Sequence, residues 1–392
     1  MTSTTPGAPD TIQAPEKNAG AFVPVQTRSE RPRSTDVADF APVTGRELEW
    51  KLSPVEKLRP LIDGELDGSA YDIAASGEGG TAAFVAAVDA KRGLAGLPED
   101  RLAANAWSQT TDVLHVSLSG DTHTTLRVDR SGLGSAPRAA HTIVHAQEGS
   151  HTTLILGSTG DALLGETVEV VVEKGASLEL VSVQEWNTGS VHYATHFATV
   201  AQDARLVHTV ASIDGDVVVV NPSVRLEGQG ATGEMYGVYF ADETQHLEHR
   251  VFAHHVGPNT VSRVTYKGAL HGKGARTVWI GDVLIGPDAV GTDSYEQNRN
   301  LVLSDGTRAD SIPNLEIETG DIQGAGHASA TGRFDDMHLF YLMSRGVPEI
   351  QARRLVVQGF LIEVLQKITD NTVREHLMDR VVNKLRATEE EA

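Results

Sequence analysis

The stretch EKGASLELVSVQEWNTGSVHYATHFATVAQDARLVHTVASIDGDVVVVNPSVRLEGQGATGEM, residues 173–235, decides the fold. Three of its fragments, EKGASLEL, AQDARLVH and GQGATGEM, share one form: a small or acidic turn residue, another small residue, then alternating apolar positions. The turn residues are Gly175, Asp203 and Gly230. Strict alternation is the pattern of a strand with one buried face. Outward from this stretch, EGSHTTL puts Gly149 before the series, and GPNTVSR and GPDAVGT put Asn259 and Asp288 after it. The separations are 26, 28, 27, 29 and 29 residues. A fixed separation in this range marks a stacked architecture. Each unit carries strands without an intervening helix, and the aromatic signature of propeller blades is missing. A coiled, parallel β-solenoid fits best, each coil burying its inward Val, Ile and Leu against its neighbours. A long antiparallel sandwich is the rival. A half-step copy, GKGARTV at Gly274, and the later SDGTRAD at Gly306 and IQGAGHA at Gly324 stand outside the series.

The strand pattern occupies residues 111–334. Residues 1–35 hold too few large apolar side chains to offset the entropy of ordering and read as a disordered tail. Residues 36–110 read as a helical or mixed region. Leu48, Leu52, Val55, Leu58 and Leu61 lie at helical spacing, with Pro54 splitting the run in two. Further helices are expected over 80–91 and 98–107. Trp50 and Trp107 are expected in a core. Residues 335–388 change character again. Asp335 and Asp336 suit a helix start, Gly346 a helix end and Pro348 the first turn of the next helix. Leu355, Val356, Phe360, Val364, Leu365 and Ile368 form an apolar stripe, and Val373, Leu377, Val381 and Leu385 follow four apart. Such helices can cap a solenoid or dock a partner. The acidic tail, 389–392, is expected to be solvated.

The chain has 392 residues, 53 acidic against 33 basic, for a net charge of −20. Without a basic run to offset that charge, nucleic acid and anionic membranes are poor partners. No apolar run is long enough to span a bilayer, and the N-terminus lacks the basic-then-apolar order of a secretory signal, so a cytoplasmic location is expected. There are no cysteines. Disulfides, thiolate nucleophiles and self-sufficient cysteine-ligated metal sites are therefore excluded. A metal would need His, Asp, Glu or backbone donors, or ligands from a second chain.

No phosphate loop and no nucleophile elbow occurs. The run TQHLEHRVFAHH (244–255) offers His246, His249 and His254 as imidazole donors to a secondary metal. On a strand, however, His246 and His249 fall on opposite faces, and only His246 and His254 share parity. Carboxylate pairs, among them Glu316 with Glu318, admit a solenoid carbohydrate-cleaving enzyme as an alternative. Aromatics are only 5% of the chain, against the stacking cleft such an enzyme needs. The stretch 297–346 ends the strand run and carries His327 in GAGHASATG, read as a loop of small residues. There the imidazole is accessible, and Gly326 permits close approach of another chain. Alone it cannot hold a metal.

From Asp242 onward the chain resembles the SufB/SufD family, scaffold subunits of the SUF iron–sulfur cluster assembly machinery. The residues carrying the resemblance are DETQHLEHRVFAHHVGPNTVSRVTYKGAL (242–270), TDSYEQNRNLVLSD (292–305), PNLEIETGDI (313–322), GHASATG (326–332) and LFYLMSRG (339–346), with TGRELEWKLSPVEKL (44–58) near the N-terminus. The resemblance implies a right-handed parallel β-helix with helical segments at both ends. It implies a non-catalytic scaffold in a complex with a SufB-type paralogue, paired through the β-helix, and with a SufC-type ATPase docked on the C-terminal helices. Tyr341, Arg345, Leu355 and Phe360 are the docking candidates, and Glu316 and Gly326 flank the pairing loop. It also implies iron acquisition and a nascent cluster at the pairing surface, held transiently in the complex and not by the isolated chain. SufB-type chains carry an essential cysteine there; this chain has Ala325 and His327, which makes it SufD-like and His327 its candidate ligand. A self-associating scaffold of the SufB type would need a thiolate the chain lacks, and a homodimer of the lone chain is a further candidate association.

Overall fold

The computed structural model describes Arg28, residues 31–333 and residues 336–390, with only the backbone given for 336–338 and 388–390. Most of the 1–35 tail, Asp335 and the last two residues of the acidic tail lie outside the described residues. Arg28 and Arg31 belong to a separate N-terminal unit, in which the Arg31 amide donates to the Arg28 carbonyl at 3.2 Å. Residues from Pro32 onward form one compact unit.

That unit opens with α1 (Val55–Asp63), β1 (Ile73–Gly77), β2 (Gly80–Ala86), α2 (Arg101–Gln109), β3 (Asp112–Leu118) and β4 (Thr124–Arg130). The coils follow as β5 (Gly134–Ala146), β6 (His151–Gly160), β7 (Ala162–Val172), β8 (Ser177–Trp186), β9 (Val191–Val200), β10 (Arg205–Asp214) and β11 (Val217–Leu226). They continue as β12 (Thr232–Ala241), β13 (His246–His255), β14 (Val261–Leu270), β15 (Arg276–Ile285), β16 (Thr292–Val302), β17 (Arg308–Ile317) and β18 (Ile322–Arg333). Helices α3 (Asp336–Ser344), α4 (Glu349–Leu365) and α5 (Asn371–Glu390) close the chain.

From β3 on, odd strands stack in one sheet and even strands in the other, and every pair is parallel. The fold is a parallel β-solenoid of about eight coils, and the antiparallel sandwich is excluded. Two corner series hold it. In one, Gly149, Gly175, Asp203, Gly230 and Asn259 all take positive φ, and each amide donates to the backbone one coil further on, as Asp203 does to the Gln229 carbonyl at 3.0 Å. A side chain with a Cβ resists that conformation, which is why Gly and short Asp or Asn recur there. Asp288 is not the sixth member. Gly291 takes the positive φ, because GPDAVGT carries extra residues and later coils lengthen, so that Ser262 and Ser294 stack 32 apart. The half-step fragments belong to the opposite corner, where Gly160, Gly189, Gly215, Glu243, Gly274 and Gly306 take positive φ. Gly324 lies inside β18, not at a corner.

The expected helix over 80–91 is instead β2. Its residues alternate, and Ala82 and Phe84 pack on the solenoid core while β2 pairs antiparallel with β3. Ala-rich composition favours helix, but the template edge of β3 overrides it. Before Pro54 the chain makes turns rather than a helix; after it α1 forms, and α2 forms close to where a helix is expected. Trp50 and Trp107 are buried.

Both outer sheet faces are covered. Trp50, Val55, Leu58, Leu61 and Leu102 pack on Val191, Tyr193, Val217 and Val219 of the odd sheet. Val357, Leu361, Val364, Leu365, Ile368, Leu377 and Val381 pack on Val181, Val207, Ala211, Val238 and Phe240 of the even sheet. Each such fully buried side chain contributes about 1.5–3 kcal/mol. Part of the stripe on α4 is therefore used by the solenoid itself. No helix among the described residues is long and apolar enough to cross a membrane.

Candidate functional site at the open end of the solenoid

The inward positions of the solenoid are mostly apolar but hold buried polar clusters, among them Arg130 with Glu166 and His192, and His196 with His208, and a further polar set lies at its C-terminal end. On β16 those positions are Ser294, Glu296, Asn298 and Asn300. Asn298 donates to the Tyr239 hydroxyl at 2.7 Å, the Tyr239 hydroxyl to Asn300 at 2.7 Å, and Ser311 of β17 to Asn298 at 2.8 Å. Ser329 of β18 donates to Ser311 at 2.8 Å. A polar network of this kind holds its members in one arrangement when each is paired. Among the described residues neither sheet has a further strand beyond β17 and β18.

His327 lies on β18, not on a loop. Gly324 to Arg333 pair along β16 in continuous register, with His327 opposite Glu296. Small residues are weak strand formers, but a preformed neighbour supplies the ladder. The imidazole is 43% exposed, whereas Glu296 is almost fully buried, and His327 Nδ1 stands 3.9 Å from Glu296 Oε1. Among the described residues neither carboxyl oxygen of Glu296 has a hydrogen-bond partner. Burial, with the Asp282 charge adding to it, pushes this carboxyl up to about 8. Gly281 makes its room: a Cβ there would lie 2.4 Å from Glu296 Oε2 and 2.3 Å from the Trp279 ring. Glu296 was not among the carboxylates singled out from sequence. Its signal was present, since TDSYEQNRN is polar at both parities in a strand whose inward side should be apolar.

Gly326 neighbours His327 on β18, and an added Cβ would meet the Tyr295 ring at 3.5 Å, an ordinary contact. Glu316 sits on β17 in the other sheet, in register with Leu284.

The 244–255 histidines are placed as parity requires. Leu247, Val251 and Ala253 of β13 face the core, so His249 and His255 do too, while His246 and His254 face out. His246 Nε2 is 2.9 Å from Glu248, which also accepts from Arg250 and Ser53. Burial alone would raise the Glu248 carboxyl, but Arg250 and His246 outweigh it and hold it at about 2. His249 is stacked on Tyr239 and bonded to Ser212, and burial pushes it down to about 3. His254 stacks on Phe252, and burial with Arg225 nearby brings it to about 4. His246 and His254 are eight residues apart, about 26 Å along a strand. Among the described residues no group of three or more His, Asp or Glu is placed to hold a metal.

Of the docking candidates, Tyr341 and Arg345 are exposed on and just after α3, with the guanidinium over the ring at 4.9 Å. Leu355 is exposed on α4, beside Ile350 and Ile362, and Phe340 and Met343 add to the exposed apolar surface. Phe360 is turned toward the solenoid, where the Lys267 ammonium lies 4.8 Å from its ring centre and bonds Glu363 at 2.5 Å.

Residues 130–360 match the family described as SUF system FeS cluster assembly, SufBD core domain. The chain belongs to the SufBD family. An iron–sulfur cluster assembly SufBD family protein of Mycobacterium tuberculosis is 42% identical over 96% of this chain and 98% of its own length. One of Mycobacterium leprae is 41% identical over 91% of this chain and 94% of its own. A second SufBD protein of M. leprae is 29% identical over 62% of this chain, which is 28% of that protein. The SufBD core match takes in β16, β18 and α3, and hence Glu296, His327 and Tyr341.

Proposed function

We propose that this chain is the cysteine-free, SufD-like partner of a thiol-bearing SufB-type paralogue. The pair forms through the open edge of β17 and β18, and an iron–sulfur cluster is built at the seam. The observation that carries the reading is the open polar end of the solenoid, with a half-exposed imidazole on an unpaired edge strand. Edge strands are templates for pairing with another chain. A lone imidazole and a buried carboxyl do not complete a coordination shell, and the missing soft donors must come from outside a chain with no cysteine. Two SufBD proteins of different similarity to this chain occur in M. leprae, as a paired assembly requires. Iron and sulfide are substrates here. The chain contributes shape and one or two donors to their meeting and carries out no bond chemistry of its own, and its place of work is the cytoplasm.

The exposed Phe340, Tyr341, Met343, Ile350, Leu355 and Ile362 suit docking of a SufC-type ATPase, since large apolar side chains left exposed on two successive helices are candidates for a partner's cover. ATP-driven closure of that partner moves the helices and strains the seam.

Anaerobic co-expression with paralogue and ATPase, followed by pull-down and iron and sulfide assays, tests both halves. His327→Ala is expected to fold and to pull down the paralogue but to lose cluster formation; undiminished assembly removes the histidine from the reading. Leu355→Asp is expected to change stability by less than about 0.5 kcal/mol and to release the ATPase. Recovery of the ATPase at wild-type yield moves the docking surface elsewhere.

A further inference from the structure

We propose that Glu296 and His327 are the two protein donors of a divalent-metal half-site, so that the chain takes up a first-row ion such as Fe2+ before its partner completes the shell. The inference rests on the reading of His327 given above and extends it to a second residue and to the isolated chain.

Glu296 is buried in the last coils and has no hydrogen-bond partner for either carboxyl oxygen among the described residues. An unpartnered carboxyl in the interior costs several kcal/mol. Its place is also built, since only a glycine at 281 leaves space for Oε2. Across the stack it faces His327, with Nδ1 at 3.9 Å from Oε1, and the Asp282 charge also reaches it. Two donors at about 2.1 Å from one metal lie about 3.4 Å apart at a tetrahedral angle and about 4.2 Å apart when trans. The observed separation falls between these limits, so a metal fits between the two groups with a shift of a few tenths of an ångström. The ion is held by the carboxylate and the neutral imidazole, and any proton either group carried passes to solvent. One nitrogen and one hard oxygen suit divalent iron, cobalt or zinc, with the remaining positions open to water and then to a partner's thiolate. The exposed side of the imidazole gives the ion its way in from the open edge.

Cobalt(II) is the probe, titrated into the purified full chain and followed by its visible absorption. The wild type is expected to bind one ion in a variant-sensitive site. Glu296→Gln and His327→Ala are each expected to weaken it about tenfold or more, and the double variant no further than the weaker single one. X-ray absorption of the loaded wild type should show one imidazole among oxygen donors. Circular dichroism checks that Glu296→Gln is folded. Cobalt binding that His327→Ala abolishes and Glu296→Gln leaves unchanged overturns the role of Glu296. Absence of any cobalt site sensitive to either variant, or a loaded wild type without imidazole, overturns the half-site. Neither result touches the seam reading, which is judged on cluster assembly in the paired complex.

Discussion

The two ends of this solenoid are built from the same coil and finish differently. At the N-terminal end the chain doubles back. The five-residue β1 pairs antiparallel with β4, and the seven-residue β2 with β3. Tyr71, Ile73, Ala82 and Phe84 pack onto an interior of Leu114, Val116, Leu118, Leu126 and Val128. At the C-terminal end the strands are ten and twelve residues long, and β18 carries no charged residue between Ile322 and Arg333. The interior there holds Ser294, Glu296, Asn298, Asn300, Ser311 and Ser329 beside Leu315, Ile322 and Ala325. A short reversed strand ends a stack, whereas a long uncharged edge leaves it ready for another strand. The direction and length of the terminal strands make the difference.

The largest expected effect breaks the first end and spares the second. Val116→Asp places an unpaired charge in the apolar interior and should cost more than about 4 kcal/mol, leaving no cooperative thermal transition. Ala330→Lys, on the exposed β18 edge, should keep stability within about 0.5 kcal/mol and block recovery of the paralogue in a pull-down. A folded Val116→Asp protein, or paralogue recovery unaffected by Ala330→Lys, would erase the contrast.

The next effect is one of pH. Burial holds interior histidines neutral, His196 at about 4 and His249 and His255 at about 3. In the unfolded chain they titrate near ~6.5. The folded state binds fewer protons, so their contribution is full above that value and is lost as pH falls from it toward 4 and then 3. The loss is about 1.4 kcal/mol per pH unit for each histidine. Urea melts at pH 7.5 and 5.5 should show the lower midpoint at 5.5; equal midpoints would mean these side chains reach solvent.

The smallest sharpens the open end. Glu296→Gln removes a buried acid that no group pairs, and should raise stability by about 1–3 kcal/mol at neutral pH. A lower melting temperature would show that the carboxyl is part of the packing and not a vacancy awaiting a ligand.

Much of the fold was legible in the chain. The corner residues Gly149, Gly175, Asp203, Gly230 and Asn259 declare themselves because positive φ admits few residue types. The second corner, from Gly160 to Gly306, was equally present but read as a half-step, because one turn series hides inside the other. The strand β2 was not legible, since GTAAFVAAVDAK favours helix until β3 offers it an edge. His327 was found by its setting among small residues, yet its place on a strand depends on β16 thirty-one residues earlier.

By itself the sequence determined the coil, through alternation and the narrow chemistry of its corners. It also ruled out a thiolate, because no cysteine is there to supply one. Only the tertiary structure decided which polar residues meet. The stacking of coils puts Glu296 under His327 and Ser311 beside Ser329, since residues thirty-one and eighteen apart become neighbours only once the register is set. It decided as well which face of α4 is used by the solenoid and which remains exposed, a division that burial against the even sheet makes and that an apolar stripe cannot announce.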